Sequence, residues 1–210
     1  MNLGKLFNMQ KELDERILNR FPDLRNKDLL DKKILALQVE LGELAQNWRG
    51  FKFWSENQEP NRTGYIDCDV CTDQPGRYEV IHDGEILSLP CSKCEGHEEV
   101  YIGDPLLEEY VDCLHFILSI GLELGYDYAP TTKWQARSIT VQFNDLFHTV
   151  ATFNESIESD WDEEEKQENF ENMVGGFLGL GDMLQFNWEE IEQAYFDKNK
   201  INHERQENGY

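Results

Sequence analysis

Apolar residues recur every three or four positions through most of this chain. That spacing constrains the fold more than any other feature, and it predicts an all-α helical bundle. Leu3, Leu6, Phe7, Met9, Leu13, Ile17 and Leu18 mark a first helix, which Arg20-Phe-Pro-Asp23 interrupts. Leu29, Leu30, Ile34, Leu37, Leu41 and Leu44 lay a broad stripe along a second, from about residue 27 to 49, with Gly50 as its stop. The pattern resumes after Asp104-Pro105, a cap and first-turn pair, and runs to about Leu124. Two further helices are expected at roughly 131–157 and 162–183, and a last one from Asn187-Trp-Glu-Glu190 toward the C-terminus. The acidic run from Asp160 to Glu165 lies at a helix start, where negative charge is favourable.

Residues from about 55 to 103 have another character. Turn residues are frequent, and Arg77–Ile81 and Glu85–Leu89 read as short strands around Asp83-Gly84, a hairpin signal. The segment carries Cys68-x-x-Cys71 and Cys91-x-x-Cys94, nineteen residues apart, which is the spacing of a four-cysteine zinc ribbon. The expectation is an inserted β-rich module spanning 55–103, stapled by a structural Zn²⁺ because it is too small to fold alone. His97 is an alternative ligand, and Cys113, outside the module, reads as a buried apolar residue.

Composition excludes several functions. There are 19 Lys and Arg against 42 Asp and Glu, a net charge of −23, which is wrong for a protein that tracks polymeric nucleic acid through phosphates. No apolar run approaches the ~20 residues that cross a membrane. No apolar signal-peptide core opens the chain. The expected location is the cytoplasm, where CxxC pairs bind metal rather than form disulfides.

Two acidic pairs carry the chemistry. Glu40-x-x-Glu43 lies beside the apolar stripe of the second helix, and residues three apart share a helix face. Such a pair is also common on solvated helices. Glu109-x-x-Asp112 lies among Leu106, Leu107, Val111, Leu114, Phe116 and Ile117, where an unpaired carboxylate is costly. Glu108 is expected to face solvent. Four carboxylates on two helices suit Mg²⁺, which takes oxygen ligands and shares them with phosphates. On the last helix, Lys198, Asn202 and Arg205 share one face and would neutralise a polyphosphate from the far side.

The segments ELGELAQNWRGFKFW, LLEEYVDCLHF and AYFDKNKINHERQENGY resemble the dimeric all-α dUTPases, relatives of the MazG-type nucleotide pyrophosphatases. The resemblance covers 1–54 and 104–210, expected as the catalytic domain. It implies hydrolysis of dUTP, and of dUDP, to dUMP by a homodimer, with water attacking the β-phosphorus. Glu40, Glu43, Glu109 and Asp112 would be the Mg²⁺ ligands, and Glu40 would orient or deprotonate the water. Lys198 and Arg205 would hold phosphates, and Asn202 would contact the nucleotide. Gln10 would bind uracil, Tyr210 closes the C-terminal pattern, and Trp54 and Phe116 would pack around base and sugar. Trp48 competes with Trp54 for that place, and both aromatic assignments compete with plain core packing. Two other readings stay open: a MazG-like pyrophosphatase for another deoxynucleotide, and a zinc-ribbon adaptor on an inactive scaffold.

Overall fold

The computed structural model describes residues 3–70, 76–82, 85–128, 132–159 and 161–208. Cys71, Asp83 and Gly84 of the expected hairpin turn, Asp160 and Tyr210 lie outside the described residues. Helices α1 (Leu3–Arg20), α2 (Leu30–Trp48), α3 (Pro105–Leu124), α4 (Ile139–Glu158), α5 (Glu163–Met183) and α6 (Trp188–Asn208) build the body. Four strands, β1 (Gly64–Asp67), β2 (Arg77–His82), β3 (Glu85–Pro90) and β4 (Glu99–Gly103), lie between α2 and α3. The chain divides into two compact units, Met1–Pro60 with Leu106–Tyr210, and Asn61–Pro105.

The helical unit closes on the stripes that the sequence displays. Leu37, Leu41 and Leu44 of α2, Leu114 and Ile117 of α3, Phe153 of α4, and Phe170 and Phe177 of α5 are all buried in one core. Helix α4 packs along α5, α1 along α6, and α2 against α4. Tyr110 ties α3 to α5: its ring stacks on Phe177 at 4.3 Å, and its hydroxyl donates to the Phe177 carbonyl. Cys113 is fully buried in this core, as its type suggests.

Helix ends follow local chemistry. Asp162 and Glu165 form a reciprocal capping box at the start of α5, and Asn187 and Glu190 do the same for α6. Arg49 ends α2 in the left-handed conformation, one residue before the expected stop at Gly50. The fourth helix differs from expectation. It starts at Ile139, after Ser138 caps the Val141 amide, and not near 131. Residues just before it cross α5 instead. Trp134 donates its indole N–H to the Asn172 carbonyl and lies over Gly176, where a β-carbon would come within 2.1 Å of the indole ring.

The smaller unit holds two antiparallel hairpin-like pairs. β2 pairs with β3, the two strands that the sequence predicts, with Ile81 opposite Ile86 and Val80 opposite Leu87. β1 pairs with β4, Ile66 opposite Val100, which strand patterning did not predict.

Candidate active site

Helical periodicity sets the centre of the site. Glu40 and Glu43 are one turn apart on α2, and Glu109 projects from α3. Carboxylate oxygens of these three lie within 4.8 Å of one another. Asn47, a further turn along α2, donates its amide to Glu109 Oε1 at 3.2 Å. Sequence reading overlooked Asn47, although its i+4 step from Glu43 is the available signal. Asp112 stands one turn beyond Glu109 and accepts from Lys198 Nζ at 2.6 Å. Lys198 also donates to Glu108, at 2.7 Å, so Glu108 is exposed yet ion-paired.

The electrostatics follow from half-burial of like charges. Desolvation, then Asp112 and Glu43, push Glu40 up to about 7. Desolvation, then Glu43, Asp112 and Glu40, push Glu109 up to about 7 as well. Burial raises Asp112 even though Lys198 pulls it down. Lys198 is held above its ordinary range against its own desolvation, by Asp112 and Glu108. A crowded, all-oxygen, anionic donor set of this kind fits a hard divalent cation, which would relieve the repulsion.

A cavity of about 650 Å³ adjoins the cluster. Glu40 and Asp112 line it, together with Gln10, Phe116, Lys198, Asn202 and Arg205. The cavity therefore gathers most of the predicted substrate contacts. Trp54 is not among the described residues that line it. Trp54 stands beyond the end of α2, 67% exposed, edge-on to Phe51 and Phe53. Trp48 packs on Phe143 in the core.

Gln10 is buried and its amide is fully oriented. Nε2 donates to Asp14 Oδ1 at 2.7 Å, so Oε1 must face the other way. There it accepts from the Tyr195 hydroxyl at 2.8 Å and from His115 Nδ1 at 2.7 Å. Burial holds the Tyr195 phenol well above its usual range, so the hydroxyl stays a donor. Burial, with help from the Lys198 charge, lowers His115 to about 3. The ring is thus neutral, with its proton on Nδ1, and it stacks on Tyr195 at 4.1 Å. Asp14 is half-buried, and its Oδ2 accepts from Ser119 at 2.7 Å. The sequence does not single out Asp14, His115 and Ser119, since Asp14 lies in a charged run of α1 and the other two among apolar residues of α3, with no local motif.

In the smaller unit, Cys68 follows β1 and Cys91 follows β3. Cys68, Cys91 and Cys94 are buried, and their sulfurs lie within 4.8 Å of one another. Backbone amides of Cys94 and Lys93 lower the Cys91 thiol to about 7. Thiols so clustered and so supported suit a thiolate-bound metal. His97 donates its backbone N–H to the Cys94 carbonyl.

The family model described as dUTPase matches residues 2–68 and 103–210 of the chain. No curated protein and no solved structure matches it.

Proposed function

The chain belongs to the dUTPase family, and on that premise we propose that it hydrolyses dUTP, and dUDP, to dUMP at the cluster formed by α2 and α3. The family is one of dUTP diphosphatases, with an all-α fold. The observation that carries the reading is the convergence of Glu40, Glu43 and Glu109 within 4.8 Å, beside a cavity that Lys198, Asn202 and Arg205 also line.

Glu40, Glu43, Glu109 and Asp112 would hold Mg²⁺, which supplies polarisation of the phosphoryl oxygens and a lower pKa for the attacking water. Glu40 is the one glutamate of the cluster that also lines the cavity, so it is the residue that orients the water and takes its proton. Lys198 and Arg205 neutralise the polyphosphate as charge builds on it. Asn202, one turn from each, contacts the nucleotide. Phe116 supplies an apolar wall for base and sugar, and Trp54 and Tyr210 are the outer contacts that the family resemblance suggests. Water adds to the β-phosphorus, the bond from that phosphorus to the bridging oxygen breaks, and dUMP leaves with that oxygen. The other product is pyrophosphate from dUTP and phosphate from dUDP.

In the same reading, Cys68, Cys71, Cys91 and Cys94 bind one structural Zn²⁺, and the catalytic domain is 1–54 with 104–210. The protein acts as a homodimer in the cytoplasm, where such thiols stay reduced. Hydrolysis of dUTP in ¹⁸O-labelled water tests the chemistry. The label is expected in pyrophosphate, and label in dUMP would reject attack at the β-phosphorus.

A further inference from the structure

Polar side chains join helices α2 and α3 at two levels. At one, Lys33 of α2 donates to the Ser119 carbonyl of α3 at 3.4 Å and pairs with Glu123. At the other, Asn47 of α2 donates its amide to Glu109 Oε1 at 3.2 Å. The carboxylate cluster belongs to this second level, because Glu40, Glu43 and Asn47 stand at successive turns on one face of α2. Helix ends fray, and Asn47 lies one residue before the end of α2 at Trp48. Trp48 anchors that turn, since it is buried in the core and packs on Phe143 of α4. Asn47 therefore presents its amide from a fixed point. Its partner, Glu109, has a long side chain that loses rotamer freedom when it is fixed on a cation. A hydrogen bond to Oε1 restricts that freedom in advance and also aims Oε2, which shares its carbon. The donors that reach the α3 carboxylates differ in charge. Asp112 accepts from the Lys198 ammonium, whereas Glu109 accepts from a neutral amide. A cationic donor at position 47 would repel a divalent ion beside it, and a carboxylate there would add to the repulsion among Glu40, Glu43 and Glu109. An amide orients Glu109 and leaves the charge of the cluster unaltered.

We propose that Asn47 is a positioning residue for the divalent cation: it keeps Glu109 aimed at the point that Glu40 and Glu43 share, and so sets the affinity of the cluster for Mg²⁺. The proposal rests on the reading of this cluster as the Mg²⁺ site. Asn47 need not touch the ion. Groups that hydrogen-bond a metal ligand from behind fix its direction, and losing one weakens metal affinity or activity by about 10–100-fold. The loss differs in kind from the loss of a ligand. Removing a carboxylate takes charge away from the site, whereas removing Asn47 leaves all four carboxylates in place and one of them loosely aimed. Its signature is weaker Mg²⁺ binding, with turnover recovered once Mg²⁺ is raised.

The test is isothermal titration with Mg²⁺, in the absence of nucleotide, on the wild type, Asn47→Ala and Asn47→Gln. Asn47→Ala removes the donor and is expected to raise the Kd for Mg²⁺ about tenfold or more. The Mg²⁺ concentration that half-saturates dUTP turnover should rise by a similar factor, with kcat at saturating Mg²⁺ within about threefold. Asn47→Gln keeps an amide donor on a longer arm and should recover most of the lost affinity. Melting curves separate this role from a merely structural one. The metal-free Tm of Asn47→Ala should stay near that of the wild type, while the rise in Tm that Mg²⁺ produces should shrink. Wild-type Mg²⁺ affinity in Asn47→Ala, whether or not its metal-free Tm falls, would overturn the proposal. Should Asn47→Ala fail to fold, Asn47→Leu matches asparagine in size without the donor, and wild-type affinity there counts equally against the idea. The two levels separate cleanly. A wild type that binds Mg²⁺, with unaltered affinity in the variants, sinks the role of Asn47 alone. A wild type that binds no Mg²⁺ sinks the reading of the cluster itself.

Discussion

Lys198 Nζ lies 2.6 Å from Asp112 Oδ2, so the main cation of the site is bonded to one of its own carboxylates. Lys198 is only 8% exposed, and a buried ammonium needs such a partner. In the proposed reaction the same charge faces the triphosphate. Lys198→Met is therefore expected to lower kcat/KM for dUTP by about 100-fold or more. A steady-state assay showing less than a twofold change would remove Lys198 from substrate binding.

Glu43→Gln and Asp112→Asn should each reduce kcat by about 100-fold or more at saturating Mg²⁺. Both swaps keep size and polarity, so circular dichroism should show the wild-type fold. Near wild-type kcat in either variant would take that residue out of the mechanism.

Metal-free protein should lose stability as pH rises. Glu40 and Glu109 are pushed from an ordinary 4.5 up to about 7 in the folded state. Between those values the folded chain binds more protons than the unfolded one, so stability falls as pH climbs through that window. Mg²⁺ replaces the protons, so it should raise Tm more at pH 8 than at pH 5. Melting curves of the wild type beside a Glu40→Gln, Glu109→Gln variant test this. Equal pH slopes for the two proteins would contradict it.

The cysteine cluster should carry one zinc per chain by elemental analysis. Selective zinc removal is expected to abolish protection of amides in 61–105 from hydrogen exchange while dUTP turnover stays within about twofold. Zinc-free protein with all four thiols freely titratable in the native state would refute the site.

Much of this architecture was legible because helical stripes encode both burial and neighbours. Leu37, Leu41 and Leu44 announce which face of α2 is inward, and Glu40 and Glu43 then fall beside it. The start of α4 was misplaced because its apolar periodicity says nothing about Trp134, whose partner surface is the glycine run of α5. The signals were there in Gly175, Gly176 and Gly179 and in Ser138 as a cap. The pairing of β1 with β4 escaped notice because Gly64–Asp67 is short and its partner is distant in sequence. The hydrogen bonds of Asp14 are invisible in the sequence for the same reason, since Asp14 and Ser119 meet only once α1 and α3 are packed. Trp54, placed near base and sugar by the family resemblance alone, lies beyond the last turn of α2 and is largely exposed.

The central claim is that a dUTP diphosphatase operates at the Glu40, Glu43, Glu109 and Asp112 cluster. Its most direct test is hydrolysis of each deoxynucleoside triphosphate, and of dUDP, by the purified protein with Mg²⁺ and with chelator. The account predicts rapid Mg²⁺-dependent conversion of dUTP and dUDP to dUMP, with dCTP, dATP and dGTP turned over at least about 100-fold less efficiently. Equal turnover of dCTP, or hydrolysis of dUTP that persists in chelator, would contradict it.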